Sequence, residues 1–169
     1  MREVTIEQAL DINNRIFVDV RSPGEFQEAS IPGAINIPLL DDAERAQVGT
    51  VYKQIGPEEA RFLGVELVSP RLSEMLNRIN EISKKGQVII FCWRGGLRSK
   101  TVCQFGQLLD LPLLRLSGGY KAYRRYINEF LQAPSLSAQA VVLDGNTGVG
   151  KTSILELLAD RSTRLGRDA

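Results

Sequence analysis

The chain has 169 residues, 43% hydrophobic and 24% charged, with a formal net charge of +1. This is an ordinary globular mix, sufficient for one full domain and the start of another, and it lacks a global basic field for attracting nucleic acid. No secretory leader is expected at Met1–Thr5, and no apolar run approaches a membrane span. The two cysteines and no histidine exclude a Cys-His or Ser-His dyad and argue against a structural zinc site, leaving free thiols in a cytoplasmic setting as the expectation.

In chain order, Thr5 is the expected N-cap of a short helix through Leu10, and Ile16–Val20 is a strand by its β-branched and aromatic content. Arg21–Gly24 reads as a turn, and Ala34–Pro38 as a second short strand. Residues 41–53 and 57–84 are helical in pattern. Pro57 suits a first helical position, Pro70 divides the second segment, and Ser69 is the expected cap of its continuation. Leu72, Met75, Leu76, Ile79 and Ile82 form an apolar stripe that ends at Lys84-Lys85-Gly86, where a left-handed cap is expected. Val88–Phe91 is a continuous apolar strand of the kind buried on both faces. A helix over about 98–109, a strand at Leu113–Leu116 and a helix from Ser117-Gly118-Gly119 to about Leu131 follow. This alternation predicts an α/β fold: a central, mainly parallel sheet flanked by helices. Residues 133–138 read as a linker, and Ala140–Leu143 as a new strand before a second glycine-rich loop and helix.

The first glycine-rich loop carries the chemistry. Cys92 leaves the end of the apolar strand and is followed by Trp93, Arg94, Gly95, Gly96, Leu97, Arg98 and Ser99, at the carboxyl edge where α/β sheets place their ligands. Gly95 and Gly96 are expected to curl the backbone so that successive N–H groups form an anion nest, with the helix start, Arg98 and Arg94 adding positive charge. Such a setting favours a thiolate, so Cys92 is the expected nucleophile, attacking a sulfane sulfur, a selenium donor or a phosphorus centre. Cys103, within the following helix, is expected to be core. Asp19 and Arg21 read as a local ion pair fixing a turn, with Glu25 in a similar bracing role. Tyr120, Tyr123 and Tyr126 alternate with Lys121, Arg124 and Arg125, a pattern that suits either an RNA-gripping helix or a solvated amphipathic one. Trp93 suits either a wall for a base or a plug against the core.

Around this loop the sequence resembles the rhodanese superfamily. Phe17–Phe26 is similar to the family's first motif, Ile31–Pro38 to its second and Leu116–Tyr123 to its last, in the expected order over residues 16–126. Ser30 stands where many members have histidine. Five residues separate Cys92 from Arg98, where common single-domain rhodaneses have four; the wider loop is similar to that of the phosphatase branch of the fold. A Cys-x5-Arg phosphatase or arsenate reductase, a thiosulfate-type sulfurtransferase and a non-catalytic interaction module therefore stand as alternatives. Asp41–Gly56 and Cys92–Ser99 together resemble the bacterial tRNA 2-selenouridine synthases, which join a rhodanese domain to a P-loop domain. That resemblance implies a transferase that replaces sulfur by selenium in wobble 2-thiouridine of tRNA. It further implies selenophosphate as donor, a geranylated intermediate made from geranyl diphosphate, no prosthetic group, and a selenophosphate-producing enzyme as a partner.

Gly145, Asn146, Thr147, Gly148, Val149, Gly150, Lys151 and Thr152 fit the G-x-x-x-x-G-K-[ST] phosphate loop in the strand–loop–helix context it requires. Lys151 would neutralise phosphate charge and Thr152 would ligate Mg²⁺. Only 17 residues follow Thr152, so residues 139–169 are expected to be the beginning of an incomplete P-loop domain after a rhodanese domain at 1–132, with a loosely held run at 161–168.

Overall fold

A computed structural model of the chain describes residues 2–132, 144–146 and 148–165. The chain divides into two units between Gln132 and Ala133. In the first, five strands run β1 (Arg2–Val4), β2 (Arg15–Asp19), β3 (Ile35–Asn36), β4 (Gln87–Phe91) and β5 (Leu114–Leu116), forming one sheet of order β1-β5-β4-β2-β3 with every neighbouring pair parallel. Seven helices connect or flank them: α1 (Ile6–Asp11), α2 (Pro23–Glu28), α3 (Asp42–Gln54), α4 (Pro57–Val68), α5 (Leu72–Ser83), α6 (Leu97–Leu108) and α7 (Gly119–Gln132).

The sheet is covered on both faces, so its central strands are apolar throughout. Side chains of β4 alternate between two cores. Val88, Ile90 and, just past the strand, Cys92 pack with Ile79, Val102 and Cys103, whereas Ile89 and Phe91 pack with Ile6, Ala9 and Tyr120. Register places Asp19 beside Phe91, so the ends of β2 and β4 deliver Arg21 and Cys92 to the same edge.

Several local expectations are corrected. Arg21–Gly24 is not an open turn: Ser22 N-caps α2, whose Pro23 sits in the first turn and whose Glu25 completes a capping box. Ser69 does not cap α5; it lies in a short 3₁₀ turn (Ser69–Arg71), and its hydroxyl donates back to the Val65 carbonyl at 2.6 Å. Gly86 is not in the left-handed region. Glycine is required there because a Cβ would stand 2.1 Å from the Asn14 carbonyl oxygen. β1 has no periodicity of its own and owes its existence to pairing with β5.

The insertion expected at 41–56 forms α3 and leads into α4. Asp41 caps α3 in a reciprocal box with Glu44, and Glu44 also accepts from Arg71 of the 3₁₀ turn at 2.8 Å. A third contact joins the insertion to α2: the Gly24 amide donates to the Asp42 carboxylate at 3.0 Å. The helical pair is thereby fastened beside the edge that carries Cys92.

In the second unit, α8 (Lys151–Leu165) follows a loop with positive-φ glycines at 145, 148 and 150. Lys151 donates to the carbonyls of Gly145 and Asn146 at 2.6 and 2.7 Å. The helix takes in residues 161–165, and the rest of the run expected to be loosely held lies outside the described residues. The predicted linker, the strand at Ala140–Leu143, and Thr147 lie outside the described residues.

Candidate active site

Cys92 is 3% exposed at the mouth of β4, and its Sγ lies 3.3 Å from the hydroxyl of Ser99 in α6. Ser99 is itself fully buried, with its hydroxyl 3.2 Å from the Gly96 carbonyl. When Cys92 is ionised, the single hydroxyl proton of Ser99 has a charged sulfur as its better acceptor.

The polarity of the loop follows from where its carbonyls go. The Cys92 and Trp93 carbonyls accept from the amides of Tyr120 and Lys121 at 2.9 Å, in the first turn of α7. The Gly95 carbonyl accepts from the Arg115 guanidinium, which also binds Glu3. The Gly96 carbonyl accepts from the Lys100 amide at 3.1 Å. The amides of Arg94 to Ser99, in contrast, donate to no acceptor among the described residues. Fastened carbonyls and free amides together are the signature of an anion nest.

Only one of the two loop glycines supplies the curl. Gly95 has φ +64°, whereas Gly96, the N-cap of α6, has φ −87° and open space around it. Two other glycines, Gly118 and Gly119, prove equally important. Both are left-handed, and a Cβ on Gly119 would stand 2.1 Å from the Cys92 carbonyl oxygen and 2.5 Å from the Gly95 nitrogen. They form the floor on which the loop rests, a role readable in sequence only from their adjacency to a strand end.

Arg98 is at the loop as expected, with Glu25 as its partner. Its Nη1 and Nη2 donate to the two Glu25 oxygens at 2.5 and 3.2 Å. Glu25 therefore braces the loop arginine as well as its own turn. Burial raises the Glu25 carboxyl, but the Arg98 hydrogen bond and charge, the Ser22 amide and Arg45 outweigh it, and the net direction is downward. Arg98 is drawn the other way: burial lowers it, Glu25 raises it further, and the net direction is upward. Arg94 is exposed, as is Leu97.

Asp19 and Arg21 form the expected local ion pair, at 2.7 Å, and it is fully buried. The Arg21 guanidinium stacks 4.4 Å from the Tyr120 ring and 5.8 Å from Trp93, tying the pair to the underside of the loop. Trp93 is half-buried against Tyr120 and packs on the core. The tyrosines of α7 likewise turn inward: Tyr120 is 5% exposed and Tyr123 and Tyr126 pack on the same core, leaving Lys121, Arg124 and Arg125 on the solvent face. An RNA-stacking role for Tyr120 is excluded by its burial.

Cys103 is core, 2% exposed, and burial pushes its thiol up to about 12. Iodoacetamide on the folded protein near neutral pH is expected to spare Cys103. In a Cys92→Ser variant no thiol should be labelled until denaturant is added, as peptide mass mapping would show.

Beside the loop lies a cavity of about 220 Å³ with apolar walls, among them Leu39, Val48, Val65 and Val68, and with Leu97 and Arg98 at its loop end. Among the described residues no group of His, Cys, Asp or Glu is placed to hold a metal ion, and no helix is long and apolar enough to cross a membrane.

Comparison with known proteins agrees with this geometry. The "tRNA 2-selenouridine synthase" of Pseudomonas syringae pv. syringae (strain B728a) is 40% identical over 153 residues, covering 89% of this chain and 42% of that protein. The protein of the same name from Serratia proteamaculans (strain 568) is 41% identical over 145 residues, covering 85% of this chain and 39% of that one. The chain thus spans about two fifths of the length of these curated relatives. The crystal structure of the N-terminal domain of a "putative ATP/GTP binding protein" from Clostridium difficile 630 superposes with a TM-score of 0.72 at 39% identity, covering 74% of this chain and 98% of that one. The family model of the rhodanese-like domain matches residues 5–126. That match opens at the cap of α1, closes within α7 and leaves only β1 of the sheet outside it: the chain belongs to the rhodanese-like domain family.

Proposed function

We propose that this chain is the rhodanese part of a tRNA 2-selenouridine synthase, replacing sulfur by selenium in wobble 2-thiouridine, with Cys92 as nucleophile. The observation that carries the reading is the loop itself: a buried cysteine heading a run of free amides, in a chain about 40% identical to proteins bearing that name. With a sulfane donor such as thiosulfate, the thiolate attacks the outer sulfur. One S–S bond forms, one breaks, and sulfite leaves with the electron pair. With selenophosphate, whose selenium is already at the selenide level, electron balance directs the thiolate to phosphorus. An S–P bond forms as P–Se breaks, selenide leaves with the pair, and water later frees phosphate from Cys92.

Selenide then bonds to C2 of an S-geranylated thiouridine, and geranylthiol departs with the electrons of the broken C–S bond and a proton. The apolar cavity beside the loop, ending at Leu97, suits a geranyl chain. The solvent face of α7, with Lys121, Arg124 and Arg125, suits tRNA phosphates. The left-handed glycines of the second loop suit a phosphate cradle, with Lys151 against the phosphate and Thr152 toward its Mg²⁺, in a P-loop domain beginning near 139. A cytoplasmic setting and a selenophosphate-producing partner belong to the same reading.

The test is intact-mass analysis of the reduced protein after thiosulfate, selenophosphate or an aryl phosphate. Thiosulfate is expected to add one sulfur, and selenophosphate an adduct with the single isotope of phosphorus in place of selenium's broad envelope. Both adducts should vanish in Cys92→Ser. Steady turnover of the aryl phosphate would instead identify a phosphatase.

A further inference from the structure

We propose that Glu25 is a positioning residue of the Cys92 site, fixing the Arg98 guanidinium so that its remaining N–H groups meet an anion held in the loop. The inference rests on the anion-loop reading of Cys92 and adds a residue that the motif around the cysteine does not contain.

The contact is not an ordinary surface ion pair. The Glu25 and Arg98 side chains are only 16% and 24% exposed, and the carboxylate takes one bond from each terminal nitrogen of the fork. Two-point contact fixes the plane of a guanidinium, which a single contact leaves free to rotate. It also leaves Nε–H and the outer hydrogens of Nη1 and Nη2 unspent. Glu25 is itself fixed from a second side: its Oε2 accepts from the amide and hydroxyl of Ser22, both at 3.2 Å, and Ser22 is 1% exposed and adjoins buried Arg21. From a third side, Arg45 Nε of α3 lies 3.6 Å away. Two arginines on one carboxylate leave a net positive cluster, so Glu25 orders the loop arginine without cancelling the attraction for an anion. The contact to Arg45 also ties the inserted helical pair to the reactive edge.

A carboxylate beside an anion site has an opposite reading, in which Glu25 merely competes for Arg98. The two differ in sign. Tungstate, a tetrahedral anion that does not transfer, serves as probe, and its affinity is read as protection of Cys92 from iodoacetamide. The full chain is compared with Glu25→Gln, Glu25→Ala, Arg98→Ala and the Glu25→Ala/Arg98→Ala double variant, each shown folded by circular dichroism at the assay temperature. Positioning predicts protection weakened ~10-fold or more in Glu25→Ala and less in Glu25→Gln, which keeps an acceptor oxygen. It also predicts that the double variant is no weaker than Arg98→Ala alone, because the residues act as one unit. Unchanged or tighter binding in Glu25→Ala overturns the proposal, as do losses that simply multiply in the double variant. Absence of tungstate protection in the parent chain would remove the anion-loop reading itself, and the role of Glu25 with it.

Discussion

Replacing Gly119 with alanine is expected to disable the reactive loop although the residue lies outside it. The added methyl would overlap the Cys92 carbonyl oxygen and the Gly95 nitrogen, both backbone atoms that no rotamer change can move, and the position has φ +58°. The left-handed backbone costs about 1–2 kcal/mol for a residue with a Cβ, and the overlap about 1–3 kcal/mol more. Relief requires lifting the loop off its floor, which breaks the bonds from Tyr120 and Lys121 to the Cys92 and Trp93 carbonyls. Displacing a reacting atom by about 1 Å lowers rates by roughly 100-fold, so sulfur loading of Cys92 from thiosulfate should fall by about that factor, with a lower urea midpoint. Gly96→Ala is the internal control. That glycine has φ −87°, and a methyl there would have nothing within 4 Å, so a smaller loss of stability and loading than in Gly119→Ala is expected. Equal damage in both variants would contradict the assignment of Gly95 and the Gly118–Gly119 turn as the parts that shape the loop.

Asp19→Ala is expected to be the most destabilising side-chain change in the first unit. Asp19 is 0% and Arg21 1% exposed. The carboxylate accepts from the Arg21 amide and guanidinium and from the Ser30 hydroxyl at 2.8 Å. Removing it strands a guanidinium among Tyr120, Trp93 and the Ala29 carbonyl, with no route to water. Breaking a buried pair from one side costs about 3–5 kcal/mol, chiefly the penalty of the uncompensated charge. Replacing both residues with apolar ones of similar volume should cost less than either single change. Denaturant unfolding of the singles and the double would show this, and a loss under about 1 kcal/mol for Asp19→Ala would mean that the pair is not insulated as described.

How much was legible in the sequence depended on whether a signal was local. The strands at 16–20 and 88–91 stood out because burial on both faces demands unbroken apolar runs. The cap at Thr5 and the first turn at Pro57 were equally readable, since capping chemistry lies within a few residues. Cys92, Arg98 and Ser99 announced the site through their spacing around two glycines. Long-range contacts carried no such mark. Glu25 lies 73 residues from Arg98 in the chain, and nothing near it in sequence names its partner. β1 is three residues of ordinary composition that become a strand only beside β5. The inward turn of the α7 tyrosines depended on which face of an amphipathic helix met the core, and alternation with basic residues is compatible with either.

The pairing of the first strand with the last has a consequence for biosynthesis. Glu3 and Arg115 are 112 residues apart, and Arg115 is also the group that grips the Gly95 carbonyl. At a ribosomal pace of roughly 5–20 residues per second, the amino terminus waits about 6–22 s for its neighbour to be made. The sheet therefore grows from its β2–β3 edge across to β1, and the edge that carries Cys92 acquires its contacts from Arg115 and from the first turn of α7 only after nearly the whole unit has been made.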